Sequence, residues 1–289
     1  MLVNGNDILL KAREGHYAVG AFNVFDFGCV DAVLGAAEAT NTPVIAQILD
    51  WHPSGNFGSR PQEEVKMFMD MLIYRAKLSP VPVCIHLDHC QTYEDCIRAI
   101  KYGATSVMLD ASMKPFEENI ALTKKVIEAA HACGVTVEAE IGHVDGHDGD
   151  TTGKLYTTPE QAKEFYAATG VDSLAVAVGT VHGVYAEEPK LQYDLISELR
   201  EAIPAPLVMH GGSGLSPEQY KECVERGITK INFATYMLLA GGKGISDKVA
   251  ENNAAGKGNN FIDLYPEGVK AMKEIVMEHI GYFQTKPIA

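Results

Sequence analysis

The sequence has little positive charge. Its 289 residues include 24 lysines and arginines against 38 aspartates and glutamates, which gives a formal net charge of -14. Nucleic acids and anionic membranes are bound through basic surfaces that displace counterions, so the charge balance argues against both kinds of partner. A small anionic substrate is still compatible with it, because a bound metal and backbone amides can make a site locally positive.

Cysteine motifs and long apolar runs are also missing. The six cysteines are scattered along the chain, without the spacing of a disulfide framework or a zinc knuckle. No segment approaches the roughly 20 apolar residues that a membrane-spanning helix requires. The start of the chain lacks the basic region and apolar stretch of a secretory leader. These absences predict a cytoplasmic protein with no membrane partner.

Strand-like apolar runs alternate with helix-like segments along the chain. The expected strands are 17–23, 43–49, 83–88, 106–110, 136–141, 173–178, 206–210 and 229–233. Strand–helix units joined by right-handed crossovers predict a single (β/α)8 TIM barrel over residues 1–289, and a doubly wound open sheet is the alternative. After the last strand we expect a helix broken at Gly241–Gly244, a flexible stretch from Asn252 to Asn260, and a final helix from about Pro266 to Ile280.

The run Val83–His89 ends in Asp88 and His89, which places a carboxylate and an imidazole at the carboxyl end of a buried strand. Because successive strand residues point to opposite faces, we expect the two side chains to diverge, so that one holds a metal while the other moves a proton. The plainer alternative is a helix-capping aspartate beside a hydrogen-bonded core histidine. The other strand ends favour the first interpretation.

In a barrel, functional side chains lie at the carboxyl ends of the strands. Those ends carry, in chain order, Asn23, Leu49, Asp88 with His89, Asp110, Glu140, His182, His210 and Asn232. Histidines on three strand ends can converge on one ion, and three protein ligands with an open position is the arrangement of a catalytic zinc site. His89, His182 and His210 are the predicted ligands, and nearby carboxylates would support them.

Two strand ends run into glycine-rich turns, Gly179–Gly183 and His210–Gly214, and Asn232–Thr235 follows the last strand. Barrels bind phosphate here with backbone N–H groups and a helix N-terminus. A metal beside a phosphate pocket indicates Lewis-acid stabilisation of an enediolate, and proton transfer by Asp88 would make or break a C–C bond next to a ketone. The rival Schiff-base route needs a lysine at an inner strand end, whereas Lys230 lies at the start of its strand.

Motifs in seven segments of the chain are similar to those of a known enzyme family. They are Ala21–Asn23, His86–His89, Asp110–Ser112, Pro115–Asn119, Val137–Gly142, Val178–Gly183 and His210–Gly214. In this order they resemble the class II, zinc-dependent ketose-bisphosphate aldolases, the fructose- and tagatose-bisphosphate group. The resemblance implies zinc on the three histidines and a role for Asp88 in moving the proton of the substrate hydroxyl beside the breaking bond. Glu140 and Asp110 would support the ligands or form an alternative metal site.

The resemblance also implies a bound dihydroxyacetone phosphate, sometimes a monovalent cation, and a homodimer or homotetramer. The residues expected to bind substrate or phosphate are Asn23, Gly183, Gly211, Gly212, Ser213, Asn232, Ala234 and Thr235. The polar loop 142–157 is a candidate lid, in which the family carries a glutamate for a second proton transfer. Asp148 is expected in that role, with His143, His147 and Asp150 as alternatives.

The sequence departs from the family pattern at other places. Leu49 stands where a small or hydroxyl residue is usual, and Met113 where a histidine is usual. The segment Asn260–Asp263 replaces the one whose arginine grips a second phosphate, so the sequence favours a singly phosphorylated ketose. Two alternative functions use the same fold: epimerisation of a phosphosugar at the metal site, and phosphosugar binding without catalysis.

Overall fold

The computed structural model describes residues 1–49, 62–142, 156–185 and 187–288. Within these ranges the strands are β1 (Leu2–Val3), β2 (Val19–Asn23), β3 (Val44–Leu49), β4 (Val83–Cys90), β5 (Ser106–Leu109), β6 (Thr136–Ile141), β7 (Ser173–Val176), β8 (Leu207–Met209) and β9 (Ile228–Phe233). The helices are α1 (Asn6–Gly15), α2 (Phe27–Thr40), α3 (Gln62–Leu78), α4 (Tyr93–Lys101), α5 (Phe116–Ala132), α6 (Pro159–Thr169), α7 (Tyr193–Ala202), α8 (Pro217–Arg226), α9 (Thr235–Ala254) and α10 (Phe261–Tyr282).

Strands β2 to β9 form a closed parallel barrel. Each pairs with the next along the chain, and β9 returns to β2 with Ala21 opposite Asn232. This closure confirms the predicted (β/α)8 barrel and excludes the open sheet. The short strand β1 was not predicted; it pairs with β4 at Val83 and Cys84, below the point where β5 joins β4 at His86.

The strands are buried on both faces, and their outward faces are apolar. Their outward side chains pack against the helices, as in the buried cluster that includes Val44, Ala46 and Ile48 of β3. The barrel interior also holds polar groups, among them Glu138 and Lys230, each 1% exposed. No helix in the described part of the chain is both long and apolar enough to cross a membrane.

The end of the chain differs most from the sequence-based expectation. α9 continues as one helix of 20 residues through Gly241–Gly244, so the predicted break is wrong. α10 already begins at Phe261 and contains Pro266 within it, so the predicted start is wrong as well. Gly241 and Gly244 act in packing instead, because α9 lies against α10 at these two positions.

Gly241 and Gly244 let the two helices approach closely. A Cβ atom at Gly241 would lie 2.9 Å from Met272 Cγ, and one at Gly244 would lie 2.7 Å from the Glu267 carbonyl oxygen. Real Cβ atoms do not approach backbone oxygens so closely. A glycine that weakens an isolated helix therefore stabilises this helix pair.

Gly244→Ala is expected to destabilise the protein by about 1–3 kcal/mol, because the added methyl group forces α9 away from α10. Gly242→Ala is the matched control, since a Cβ there meets nothing within 4 Å. The control should stabilise the helix by roughly 0.5–1 kcal/mol through reduced chain entropy. Chemical denaturation of both variants measures the difference, and equal shifts of the same sign would contradict the packing role.

Candidate active site

The Asp88 and His89 side chains do not diverge, which contradicts the expectation from strand alternation. The β4–β5 register shifts between Leu87 and Cys90, and His89 adopts a left-handed backbone φ of 51°. Such a bulge re-aims a side chain at the end of a strand. His89 Nε2 consequently lies 3.9 Å from Asp88 Oδ1, and both residues line one cavity at the carboxyl end of the barrel.

The structure brings the predicted metal ligands together. The ring centroid of His89 lies 5.0 Å from that of His182 and 4.6 Å from that of His210. The ring centroids of His182 and His210 are 5.9 Å apart. One ring nitrogen of each residue can be chosen so that all three lie within 4.8 Å of one another. Three separate strand ends therefore supply one histidine cluster.

The available ring nitrogens fit a divalent metal. His89 Nε2 and His210 Nδ1 are buried; His89 Nε2 has no hydrogen-bond partner among the described residues, and His210 Nδ1 faces the Glu140 carboxylate. Their other nitrogens are occupied, with His89 Nδ1 2.9 Å from Asp110 Oδ2 and His210 Nε2 3.0 Å from Glu138 Oε1. A histidine that donates one N–H to a carboxylate presents its other nitrogen as a ligand.

Both predicted carboxylates lie against these histidines. His89, Asp110 and Glu140 form a second group whose ligand atoms lie within 4.8 Å of one another. Asp110 Oδ1 also accepts hydrogen bonds from the backbone N–H and the hydroxyl of Ser112, at 3.1 and 2.7 Å. Glu140 Oε2 lies 3.2 Å from His210 Nδ1. The geometry is compatible with a supporting role and with an alternative metal position.

Burial and neighbouring charges set the protonation of the metal-free cluster. Burial, helped by the two other histidines, lowers the pKa of His182 to about 3. Burial also disfavours the charged form of His210, but hydrogen bonds with Glu138 and Glu140 outweigh it and raise that pKa to about 10. For Asp88, burial is outweighed by the neighbouring imidazoles, so its pKa lies below the ordinary value. Asp88 is therefore ionised at neutral pH and can accept a proton.

Two side-chain amides hold the Asp88 carboxylate. Gln47 Nε2 donates to Oδ2 at 2.8 Å, and Asn232 Nδ2 donates to Oδ1 at 3.2 Å. Gln47 Nε2 also lies 3.2 Å from Asn23 Oδ1. The predicted residues Asn23 and Asn232 thus belong to the site, and Gln47 was missed. Its signal in the sequence is a lone amide inside the apolar strand β3.

The glycine-rich turns line the same cavity, whose volume is about 180 Å³. The lining includes the predicted phosphate-binding residues Asn23, Gly183, Gly211, Ser213, Asn232, Ala234 and Thr235. Gly212 does not line the cavity; it lies against β9, where a Cβ would be 2.7 Å from the Asn232 carbonyl oxygen. α9 begins at Thr235, so its N-terminus faces the cavity and favours a bound anion there.

Gly211 shows why this turn is built from glycine. Its φ is 63°, a left-handed conformation that side chains rarely adopt. A Cβ at this position would also lie 2.3 Å from the Val181 carbonyl oxygen. The two glycine-rich turns therefore pack directly on each other and fix the floor of the cavity.

The remaining predicted positions have different surroundings. Leu49 lines the cavity, whereas Met113 is 76% exposed beside a separate cavity of about 610 Å³. Ile262 is 80% exposed on the first turn of α10, and Asn260 caps that helix by accepting a hydrogen bond from the Asp263 backbone N–H. The predictions for Asp148, His143, His147 and Asp150 lie outside the described residues.

Comparison with known proteins agrees with this geometry. Residues 3–287 match the family model described as fructose-bisphosphate aldolase class-II. A fructose-bisphosphate aldolase of Staphylococcus aureus (strain Mu50 / ATCC 700699) is 37% identical over 286 residues, 98% of each chain. One from Geobacillus stearothermophilus is 40% identical over 255 residues, 87% of each chain. The crystal structure of the YdjI aldolase from Escherichia coli K12 superposes with a TM-score of 0.86 at 36% identity, covering 99% of this chain and 98% of that one.

A closed (β/α)8 barrel with a cluster of three histidines, two of which line the same cavity as an ionised aspartate, defines an enzyme that works at the carboxyl end of its barrel. The match across nearly the whole chain makes the assignment specific: the chain belongs to the class II fructose-bisphosphate aldolase family. It is therefore an aldolase, which is a lyase. This family is generally metal-dependent, and the histidine cluster agrees with that property.

Gln47→Leu is expected to lower kcat for cleavage by roughly 10- to 100-fold, because a hydrogen bond to a charged group is worth about 1.5–3 kcal/mol. The Asp88 carboxylate would lose one of its two amide donors and its fixed orientation, while KM would change little. Gln192→Leu is the control, since the Gln192 amide donates to the Lys190 carbonyl oxygen away from the cavity. An unchanged kcat in Gln47→Leu would contradict the orienting role.

Proposed function

We propose that this protein is a metal-dependent aldolase that reversibly cleaves a ketose 1-phosphate or 1,6-bisphosphate into dihydroxyacetone phosphate and an aldehyde. The observation that carries the proposal is that Asp88 Oδ1 lies 3.9 Å from His89 Nε2 in the cavity that the glycine-rich turns also line. The similarity to proteins named fructose-bisphosphate aldolase supports the substrate class. Residues 1–289 would act as one aldolase domain.

His89, His182 and His210 would hold the metal, with zinc as the proposed ion. Imidazole ligands suit zinc, and three of them leave a position for substrate. When bound, the ion would supply Lewis-acid polarisation of the ketone oxygen. Glu140 and Asp110 would orient the ligands or hold the ion in an alternative position, and a monovalent cation would assist phosphate binding.

The remaining residues would bind the substrate and move its protons. Gly183, Gly211, Ser213 and the N-terminus of α9 at Thr235 would bind the phosphate through N–H and hydroxyl donors. Asp88, held ionised by its surroundings, would accept the proton of the substrate hydroxyl beside the breaking bond. Gly212 would contribute by holding the phosphate turn against β9. Asp148 is proposed for the second proton transfer.

We further propose that singly phosphorylated ketoses are the better substrates. A second phosphate needs a charge-assisted donor, and the first turn of α10 offers Phe261 and Ile262 at its surface. The protein is proposed to be cytoplasmic and to form a homodimer or homotetramer, with no nucleic-acid or membrane partner, in keeping with its net charge of -14.

Product analysis tests the reaction type. The zinc-loaded protein is incubated with a panel of ketose phosphates, and triose phosphate is measured by an enzymatic coupling assay while the sugar products are separated. The proposal predicts stoichiometric release of dihydroxyacetone phosphate and an aldehyde. Conversion to an isomeric sugar without triose phosphate would identify an epimerase instead, and binding without turnover would identify a phosphosugar-binding protein.

A further inference from the structure

A buried ion pair lies inside the barrel next to the histidine cluster. Lys230 and Glu138 are each 1% exposed, and Lys230 Nζ lies 2.9 Å from Glu138 Oε2 and 3.1 Å from Oε1. Lys230 lies in the first half of β9, as its sequence position indicates, but its side chain enters the barrel interior and does not line the substrate cavity. It is therefore placed neither to bind substrate nor to interact with water.

Glu138 of this ion pair also contacts His210, a predicted metal ligand. Glu138 Oε1 lies 3.0 Å from His210 Nε2, and Ser173 Oγ lies 3.4 Å from Glu138 Oε2. A carboxylate can only accept in this contact, so the Nε2 atom of His210 carries the proton. In the neutral ring the lone pair of His210 is then on Nδ1, which is the nitrogen left for a metal once its proton is released.

The other side of Lys230 is fixed as well. Lys230 Nζ lies 3.5 Å from His86 Nε2, and His86 Nδ1 lies 2.8 Å from Ser106 Oγ. An ammonium group can only donate, so His86 accepts at Nε2 and donates from Nδ1 to Ser106. Burial and the charge of Lys230 lower the pKa of His86 to about 3, which agrees with a neutral ring. Lys230 thus has a fixed place between His86 and Glu138.

We propose that Lys230 is a positioning residue of the metal site, which acts through Glu138 to fix the orientation and tautomer of His210. The inference deepens the proposed function and rests on it, since it requires that His210 binds the metal. Stability alone does not account for the pair, because a buried ion pair can often be replaced by uncharged residues without loss of stability. Partners of this kind orient metal-binding histidines, and their removal typically weakens metal affinity 10- to 100-fold.

The experiment measures zinc dissociation constants by competition with a chromogenic chelator for the wild type, Lys230→Met, Glu138→Gln and the double variant. We expect each single variant to bind zinc roughly 10- to 100-fold more weakly. Because Lys230 acts through Glu138, the double variant should bind about as weakly as Glu138→Gln, without multiplication of the two effects. Affinity of Lys230→Met equal to that of the wild type, or multiplied effects in the double variant, would overturn the inference.

The double variant also keeps the test decisive if Lys230→Met fails to fold with an unpaired Glu138. It carries no uncompensated charge, and zinc affinity equal to that of the wild type in this variant would overturn the inference. Cobalt substitution adds a readout of ligand geometry, since the visible bands of cobalt should shift in the variants. Unchanged bands in a variant with weakened affinity would also contradict positioning.

Val276→Ala controls for a general loss of stability, because Val276 is fully buried on α10 outside the barrel interior. Its zinc affinity should equal that of the wild type, and a loss similar to that of Lys230→Met would overturn the inference. Zinc binding by the wild type distinguishes a failure of the proposed function from a failure of this inference. A wild type that binds no zinc would overturn the proposed function, whereas a wild type that binds zinc as tightly as Lys230→Met would overturn this inference alone.

Discussion

Asp88→Asn is expected to lower kcat for cleavage by roughly 10²- to 10⁴-fold, the usual contribution of a general acid–base group. The amide is almost the same size as the carboxylate and can still accept the hydrogen bond from Gln47, so the cavity should keep its shape. Asparagine cannot take up the hydroxyl proton at neutral pH. The loss should therefore appear in kcat, with little change in KM or zinc content.

Steady-state kinetics with a dihydroxyacetone phosphate coupling assay measures this effect. Asp263→Asn is the matched control, because Asp263 lies on the exposed first turn of α10 and should tolerate the change. Metal analysis and thermal unfolding of both variants would show that the site and the fold persist. Asp88→Asn with more than about a tenth of the wild-type kcat would refute the role of Asp88 as the proton acceptor.

Loss of the metal should have an effect of similar or larger size. Chelation of the wild type is expected to reduce cleavage by at least about 10³-fold, because several kcal/mol of charge stabilisation would be lost. Added zinc should restore it. His182→Ala should stay inactive at zinc concentrations that restore the wild type, whereas His131→Ala, which alters an exposed histidine bound to Asp172, should behave as the wild type.

Zinc binding should depend on pH in a definite direction. In the metal-free protein the pKa of His210 is raised to about 10, so at neutral pH the ring is protonated and metal binding must release a proton. Affinity should therefore rise with pH, by up to about 10-fold per unit for each proton released. Calorimetric titrations in buffers of different ionisation enthalpy count the protons. Affinity that falls as pH rises towards 8 would contradict the assignment of His210 as a ligand.

The same raised pKa affects the stability of the metal-free protein. A histidine whose pKa is higher in the folded than in the unfolded state stabilises the fold fully below the unfolded value of about 6.5. That contribution is lost as pH rises through the folded value of about 10. Zinc should remove this trend, because it replaces the proton on Nδ1.

Strand ends could be predicted from the sequence because a buried parallel strand has a simple signature. The apolar run before His210 indicates a strand that ends at the carboxyl end of the barrel, and the glycines after it indicate the phosphate-binding turn. The approach of His89 to Asp88 could not be predicted in this way. It depends on a register shift between β4 and β5 and on a left-handed residue, and both arise from tertiary pairing rather than from alternation along one strand.

Two further features also depend on contacts that are distant in the sequence. Gly244 weakens an isolated helix, so the pattern predicts a break, but contact with Glu267 on α10 makes its lack of a side chain favourable. Gln47 occupies an apolar strand, and its function becomes visible only when Asp88 is placed 2.8 Å away. In both cases the partner is supplied by another element of the fold.

The most direct test of a metal-dependent aldolase is release of dihydroxyacetone phosphate from fructose 1,6-bisphosphate, tagatose 1,6-bisphosphate and several singly phosphorylated ketoses, with and without a chelator. We predict chelator-sensitive cleavage that is most efficient with singly phosphorylated ketoses. Efficient bisphosphate cleavage would preserve the aldolase and show that another group, such as Lys243 or Lys257, binds the second phosphate. Cleavage that persists at full rate after removal of all metal would contradict the account.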